Sequence, residues 1–120
     1  MRLSEVAQTL ALEVRSAAEH LETDVLGGYA SDLMSDVMAH AEEGYVWITL
    51  QTHVNIVAVA AMKELAGIIL INGREPEKET AKKAEEKKIP ILVSPLPAFE
   101  LIGRLYDLGI PGLRANAEES

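Results

Sequence analysis

One hundred and twenty residues, 48% of them hydrophobic, are enough for a single domain that buries its own core without covalent staples. A net charge of −8 repels polyanions and 4% aromatic content leaves few rings to stack on bases, so a nucleic-acid platform is excluded, while a small phosphate ester stays an admissible ligand. With no Cys there is no disulfide, thiol nucleophile or thiolate metal site, and with no apolar run of about 18 residues there is no membrane-spanning helix.

The first residues, with Glu5 and Gln8 among them, lack the apolar stretch of a signal peptide, and the chain is expected in a reducing cytoplasm. Leu3, Val6, Ala7 and Leu10 recur at helical spacing, with Ser4 placed as N-cap and Glu5 in the acidic first turn. Leu12 and Val14 alternate with Glu13 and Arg15 as in a half-exposed strand, and Ser16 to Glu22 has no period and reads as a loop. Val25 to Ala30 reads as a further strand, in which Gly27-Gly28 marks a bulge or a close backbone approach rather than a phosphate cradle. Ser31 or Asp32 caps the next helix, whose stripe is Leu33, Met34, Val37, Met38 and Ala41, with Asp36, His40, Glu42 and Glu43 toward water.

The centre of the chain follows. Tyr45 to Leu50 is a strand, Gln51-Thr52-His53 breaks it, and a Gly-free and Pro-free run to Leu65 is a helix. Ile68 to Ile71 is the next strand, ended by Asn72-Gly73. Strand, helix and strand with short polar joints make a βαβ unit, and continuous β-branched runs indicate a parallel sheet covered on both faces. The helix is apolar nearly all round, so it needs cover on two sides, and a second subunit is one source of that cover. The Met34, Met38 and Met62 surface supports the same expectation of a homodimer.

After Glu75, Pro76 opens a helix whose charges run from Glu77 and Glu79 to Lys82, Lys83, Lys87 and Lys88, matching the helix dipole, with Glu79 and Lys83 spaced to pair. Its charges are a solvated face. Ile89 to Val93 is the next buried strand, with Pro90 at its first position or an edge. Ser94 then caps a last helix that buries Phe99, Ile102, Leu105, Tyr106 and Leu108 and stops at Gly109. One domain is expected over residues 1–110, with 111–120 a flexible tail.

In open parallel sheets ligands collect beyond the carboxyl ends of the strands. Three joints fall there: Gln51-Thr52-His53-Val54-Asn55, Asn72-Gly73-Arg74-Glu75 and Ser94-Pro95. The candidate binding residues are therefore Gln51, Thr52, His53, Asn55, Asn72, Gly73, Arg74 and Ser94, a set of hydroxyls, amides, an imidazole and a guanidinium suited to an anionic or nucleotide-like ligand. For each of them the plainer assignment is structural: Thr52 or Asn55 as helix cap, Asn72-Gly73 as a tight turn, Arg74 paired with Glu75 or Glu77. His53 has no base-orienting partner in the sequence, the three His are widely separated, and no metal-binding, P-loop, dinucleotide or nucleophile-elbow pattern occurs. No catalytic residue, metal or cofactor is expected.

The stretches Tyr29–Gly44 (YASDLMSDVMAHAEEG), Trp47–Ala60 (WITLQTHVNIVAVA), Leu65–Pro76 (LAGIILINGREP) and Ile89–Ile110 (IPILVSPLPAFELIGRLYDLGI) together resemble the DRTGG domain family in its small stand-alone form. Such domains resemble the N-terminal domain of HPr kinase/phosphorylase and the MurF-like fold, and relatives stand before phosphotransacetylases and between CBS domains in regulatory pyrophosphatases. Of the residues that name the family only Gly73 keeps its place, followed by Arg74-Glu75-Pro76; Thr52-His53 stands where the family has Asp-Arg. The resemblance implies a three-layer α/β/α sandwich with a mostly parallel sheet of about four or five strands, and a regulatory or dimerising module without a catalytic centre. The function expected is noncatalytic regulation as a homodimer that senses a small phosphorylated metabolite or nucleotide at the strand-end edge. The alternatives are a small enzyme using His53 with Arg74, and a protein-interaction adaptor for a multi-subunit enzyme.

Overall fold

Short strands, the central three buried along their whole length, alternate with helices along most of the chain, in a computed structural model that describes residues 1–112. In chain order the elements are α1 (Leu3–Thr9), β1 (Glu13–Ser16), β2 (Gly27–Ala30), α2 (Met34–His40), β3 (Tyr45–Thr49), α3 (Asn55–Met62), β4 (Gly67–Leu70), α4 (Lys78–Lys87), β5 (Ile91–Val93) and α5 (Ala98–Asp107). The five strands lie in the order β1-β5-β4-β3-β2, with β2 to β5 parallel and β1 antiparallel on β5.

Because each crossover from β2 to β5 moves one place in the same direction, crossovers of one hand put α2, α3 and α4 on the same face. Tyr45, Trp47, Ile68, Leu70, Ile91 and Val93 point to that face and pack with Val37, Ile56, Val57, Ala60 and Ala84. The alternate residues Val46, Ile48, Ile69, Ile71 and Leu92 point the other way and pack with Leu3 and Val6 of α1 and Leu101 and Leu105 of α5. Each β-branched strand thus serves two cores with a period of two, which is why its sequence shows no alternation. The result is the expected three-layer α/β/α sandwich. No helix among the described residues is long and apolar enough to cross a membrane.

Two sheet details rest on single small residues. Between Val14 and Ser16 the β1–β5 register shifts, and the buried Ser16 hydroxyl takes over the pairing, donating to the Ile89 carbonyl (2.8 Å) and accepting from the Ile91 N–H (2.9 Å). Gly27 stands opposite Tyr45 in the β2–β3 register, and a Cβ there would lie 2.5 Å from the Tyr45 ring. The close approach read into Gly27-Gly28 is real at Gly27, and its cause is an aromatic ring.

Several boundaries differ from the sequence reading. α1 begins two residues earlier than a Ser4 cap requires: Arg2 is the N-cap residue and its N–H donates to Glu5 (2.9 Å). The 16–22 loop contains a turn of 3-10 helix over Ala18–His20. α2 starts at Met34 with Leu33 as N-cap; the Ser31 hydroxyl accepts from the Leu33 N–H (3.1 Å), and Asp32 turns to another element altogether. Leu33, outside the helix, is 68% exposed instead of buried. Asp36 is half-buried, accepting from the Tyr29 hydroxyl (2.9 Å), so it is not part of the wet face.

α4 begins at Lys78, two residues after Pro76, with Glu77 as N-cap. α5 begins at Ala98 with Pro97 as N-cap, while the Ser94 hydroxyl closes a local turn by accepting from the Leu96 N–H (3.1 Å). With that start, Leu101 and Leu105 form the buried seam, and Phe99 and Tyr106 are 86% and 66% exposed. The expected burial of Phe99 and Tyr106 fails because Leu101, one helical turn before Leu105, claims the inner face. α3 is covered by the sheet beneath it and flanked by α2 and α4, and Met34 and Met38 pack onto that same core; Met62 alone of the three methionines is largely exposed. A second subunit is therefore not required over α3. Just beyond residue 110, Gly28 N–H donates to the Pro111 carbonyl (2.9 Å) and the Tyr45 hydroxyl to that of Gly112 (2.8 Å). The rest of the expected tail, residues 113–120, lies outside the described residues.

Candidate functional site

Parallel β3, β4 and β5 end on the same edge of the sheet, so the joints after them emerge side by side. They are also bonded to one another. Ile71 N–H donates to the Thr49 carbonyl (3.3 Å), Gly73 N–H to that of Ser94 (2.8 Å) and Asn72 N–H to that of Leu96 (2.9 Å). From α4, the Glu77 N–H (3.2 Å) and the buried Thr80 hydroxyl (2.8 Å) both donate to the Thr52 carbonyl. This rim is a laced surface of short turns.

Each sequence candidate has a definite place on it. The Gln51 side chain donates to the Asp32 carbonyl (3.0 Å) and its N–H to the Thr49 hydroxyl (3.1 Å). Thr52 is half-buried and its carbonyl anchors α4. His53 Nδ1 accepts from the Asn55 N–H (3.2 Å), the first N–H of α3, and the residue is exposed. Asn72 and Gly73 have φ of 56° and 67° and are closed by Arg74 N–H to the Ile71 carbonyl (3.0 Å), a tight turn of the type that needs left-handed residues at both centres. The Arg74 side chain is exposed and makes no ion pair among the described residues. Ser94 is buried and its hydroxyl is used within its own turn.

The N–H groups of Asn72 and Gly73 are thus committed to neighbouring carbonyls, so a ligand at this rim meets side chains rather than a backbone cradle. Topology explains where an opening remains. The chain leaving β4 goes to α4 on one face and the chain leaving β5 goes to α5 on the other, and where neighbouring connections part a crevice opens. A groove of about 220 Å³ lies there, lined by Ala11, Glu13, Gly73, Glu75, Val93 and Pro95. A larger groove, about 510 Å³, runs between α3 and α4, with Val57, Ala58 and Ala61 on one wall and Glu79, Lys83 and Lys87 on the other. Of the sequence candidates, Gly73 lines the first and Asn55 the second, and no single one of these grooves gathers the set.

Sequence reasoning missed two carboxylate contacts that hold the rim. Asp32 accepts from the Thr49 hydroxyl (2.7 Å) and the Leu50 N–H (2.8 Å), finishing β3. Glu75 takes both oxygens to the Arg15 guanidinium (2.6 and 2.9 Å), which also reaches Glu13 (2.6 Å), tying the 72–75 turn to β1. Arg74 is left without the Glu75 partner that the plainer assignment gave it. Among the described residues no group of three or more His, Asp or Glu is placed to hold a metal.

The Arg15 bond holds the Glu75 carboxyl below its ordinary range, and the hydroxyls of Ser31 and Tyr29, with His40, do the same for Asp36. A carboxyl with a depressed folded pKa stabilises the fold above its unfolded pKa, and that contribution is lost as pH falls through the folded value. Urea midpoints should therefore hold level from neutral pH to about pH 5 and then drop. The E75Q variant should lose less of its midpoint over the acid branch than the parent; an identical acid branch would assign the fall to other carboxyls.

The family described as the DRTGG domain matches residues 5–108 of the chain. No curated protein matches it in sequence. Among solved structures, one similar to it is the crystal structure of the CBS and DRTGG domains of the regulatory region of Clostridium perfringens pyrophosphatase, complexed with the activator diadenosine tetraphosphate. The TM-score is 0.68 at 19% identity, over 92% of this chain and 47% of that one, so the likeness is one of fold and this chain spans about half the length of that structure.

Proposed function

The chain belongs to the DRTGG domain family, and on that premise we propose that it is a noncatalytic regulatory module that senses a nucleotide or small phosphorylated metabolite at the strand-end rim. The observation that carries the reading is Arg74: an exposed guanidinium with no ion pair among the described residues, held on a tight turn between two other polar joints of the same rim. A planar cation carried on such a turn fits a phosphate through paired N–H donors. The exposed residues His53, on the adjoining joint, and Asn72, on the same turn as Arg74, offer further polar contacts. The solved neighbour in which a DRTGG domain belongs to a nucleotide-activated regulatory region supports the ligand class. The use of His53 Nδ1 as the acceptor of the Asn55 N–H supports a noncatalytic role.

A ligand that binds only the folded state raises stability by mass action, about 2.7 kcal/mol at a hundredfold excess over Kd. Thermal melts with mono-, di- and triphosphate nucleotides, diadenosine tetraphosphate and sugar phosphates should show an upward shift for at least one class. R74A should abolish that shift while melting like the parent in buffer, because Arg74 is exposed and makes no ion pair among the described residues. A flat response across the panel overturns the sensor reading. The module is further proposed to act as a homodimer, which light scattering tests against the 13.0 kDa monomer mass.

A further inference from the structure

The chain has one Phe, and it is 86% exposed on α5. Tyr106, two helical turns on and on the same stripe, is 66% exposed, and Ile102 beside it is half-buried. Between them sits Gly103, in a helix interior where glycine is unfavourable relative to alanine. Nothing among the described residues needs the room, since a Cβ built on Gly103 meets none of their atoms within 4 Å. On the flank of the stripe, Glu100 and Arg104 carry opposite charges, and neither makes an ion pair among the described residues. Aromatic side chains left in water around a position that admits a close backbone are the makings of an interface centre.

Resting on the homodimer reading above, we infer that the second copy docks on α5, helix against helix and antiparallel, across a two-fold axis between Ile102 and Gly103. The pattern of the helix is its own complement about that axis. Phe99 falls opposite the partner's Tyr106 and Tyr106 opposite the partner's Phe99, giving two aromatic pairs. Gly103 receives the partner's Ile102, and Glu100 of each copy lies beside Arg104 of the other, so four charges form two ion pairs. A parallel arrangement would set like charges at the same level. Extension of the sheet through its edge strand β2 is a poorer route, because the Gly28 N–H is already taken by the Pro111 carbonyl. The apolar groove between α5 and β2, with Ile102 and Tyr106 on its wall, continues the stripe toward Gly112.

Light scattering of the full chain should give twice the monomer mass, and F99E should weaken self-association by at least about thirtyfold, the scale of an interface hot spot. Phe99 touches too little of its own core for the fold to suffer, which an unchanged far-UV spectrum and urea midpoint for monomeric F99E verify. E100K should weaken the dimer and E100K/R104E should restore it, an outcome that loss of folding cannot produce. A parent that is dimeric while F99E remains equally so overturns the α5 surface and leaves the homodimer standing. A monomeric parent overturns both.

Discussion

G27A should destabilise the domain by about 1–3 kcal/mol, the usual cost of forcing a methyl into a packed interior. The new Cβ would meet Tyr45 Cζ at 2.5 Å and Cε1 at 2.6 Å, well inside contact distance. The ring cannot simply swing away. Tyr45 is fully buried under α2 and α3, and its hydroxyl donates to the Gly112 carbonyl, which fastens the end of the described chain to the sheet. Either the ring tilts and loses that bond, or β2 moves away from β3. The partner residue supplies the control: in a Y45L background the ring atoms that collide are gone, so G27A should cost clearly less there than in the parent. Urea midpoints of the four proteins in the cycle measure the coupling, and strictly additive losses would mean that the glycine is there for another reason.

That glycine illustrates what could be read in advance and what could not. The Gly27-Gly28 pair announces a close approach, but Tyr45, eighteen residues later by sequence number, is identified as the approaching group only by the parallel register of β2 and β3. The buried strands were legible because β-branched runs bounded by polar joints have few alternatives in a chain of this size. Helix faces were less so. In α5 apolar residues occupy Phe99, Leu101, Ile102, Leu105, Tyr106 and Leu108, enough for two stripes, and the choice between them depends on a start at Ala98 that the prolines around Leu96 do not settle. For α3, apolar residues all round pointed to a second subunit, yet the neighbouring helices α2 and α4 of the same chain flank it.

The rim followed from topology: once β3, β4 and β5 are parallel neighbours, the joints at 51–55, 72–75 and 94–95 must share an edge. How those joints spend their hydrogen bonds is not visible in local sequence. The carbonyl of Thr52 receives two donors from α4, and the N–H groups of Asn72 and Gly73 go to carbonyls beyond β5. The Arg15 contact to Glu75 spans 60 residues, and no spacing rule reaches that far. Asp32, standing before a helix, has the sequence position of a cap, and its use elsewhere is the least predictable feature of the site.

D32A should cost roughly 1.5–3 kcal/mol, the range for hydrogen bonds to a charged acceptor, and toward the lower end because Asp32 itself faces water. Two donors lose their acceptor together: the hydroxyl of Thr49, which is 1% exposed, and the N–H of Leu50 where β3 ends. Water can reach the second more readily than the first. Thr49 also accepts from the Gln51 N–H (3.1 Å), and Gln51 reaches back to the Asp32 carbonyl, so the carboxylate orders the first joint of the rim as well as the strand end. The substitution therefore separates positioning from general packing. D32N keeps an acceptor of the same shape and should recover most of the stability, whereas D32A combined with T49V, which removes the orphaned buried hydroxyl, should recover at most part of it, because the N–H groups of both Leu50 and Gln51 then lose their acceptors. Amide exchange at Leu50 and Gln51 should quicken in D32A before the rest of β3 does, and any ligand-induced thermal shift should shrink with it. If D32A melts as the parent and exchanges no faster at those two amides, the rim is held by its backbone lacing alone, and Asp32 has no part in shaping the surface that Arg74 shares.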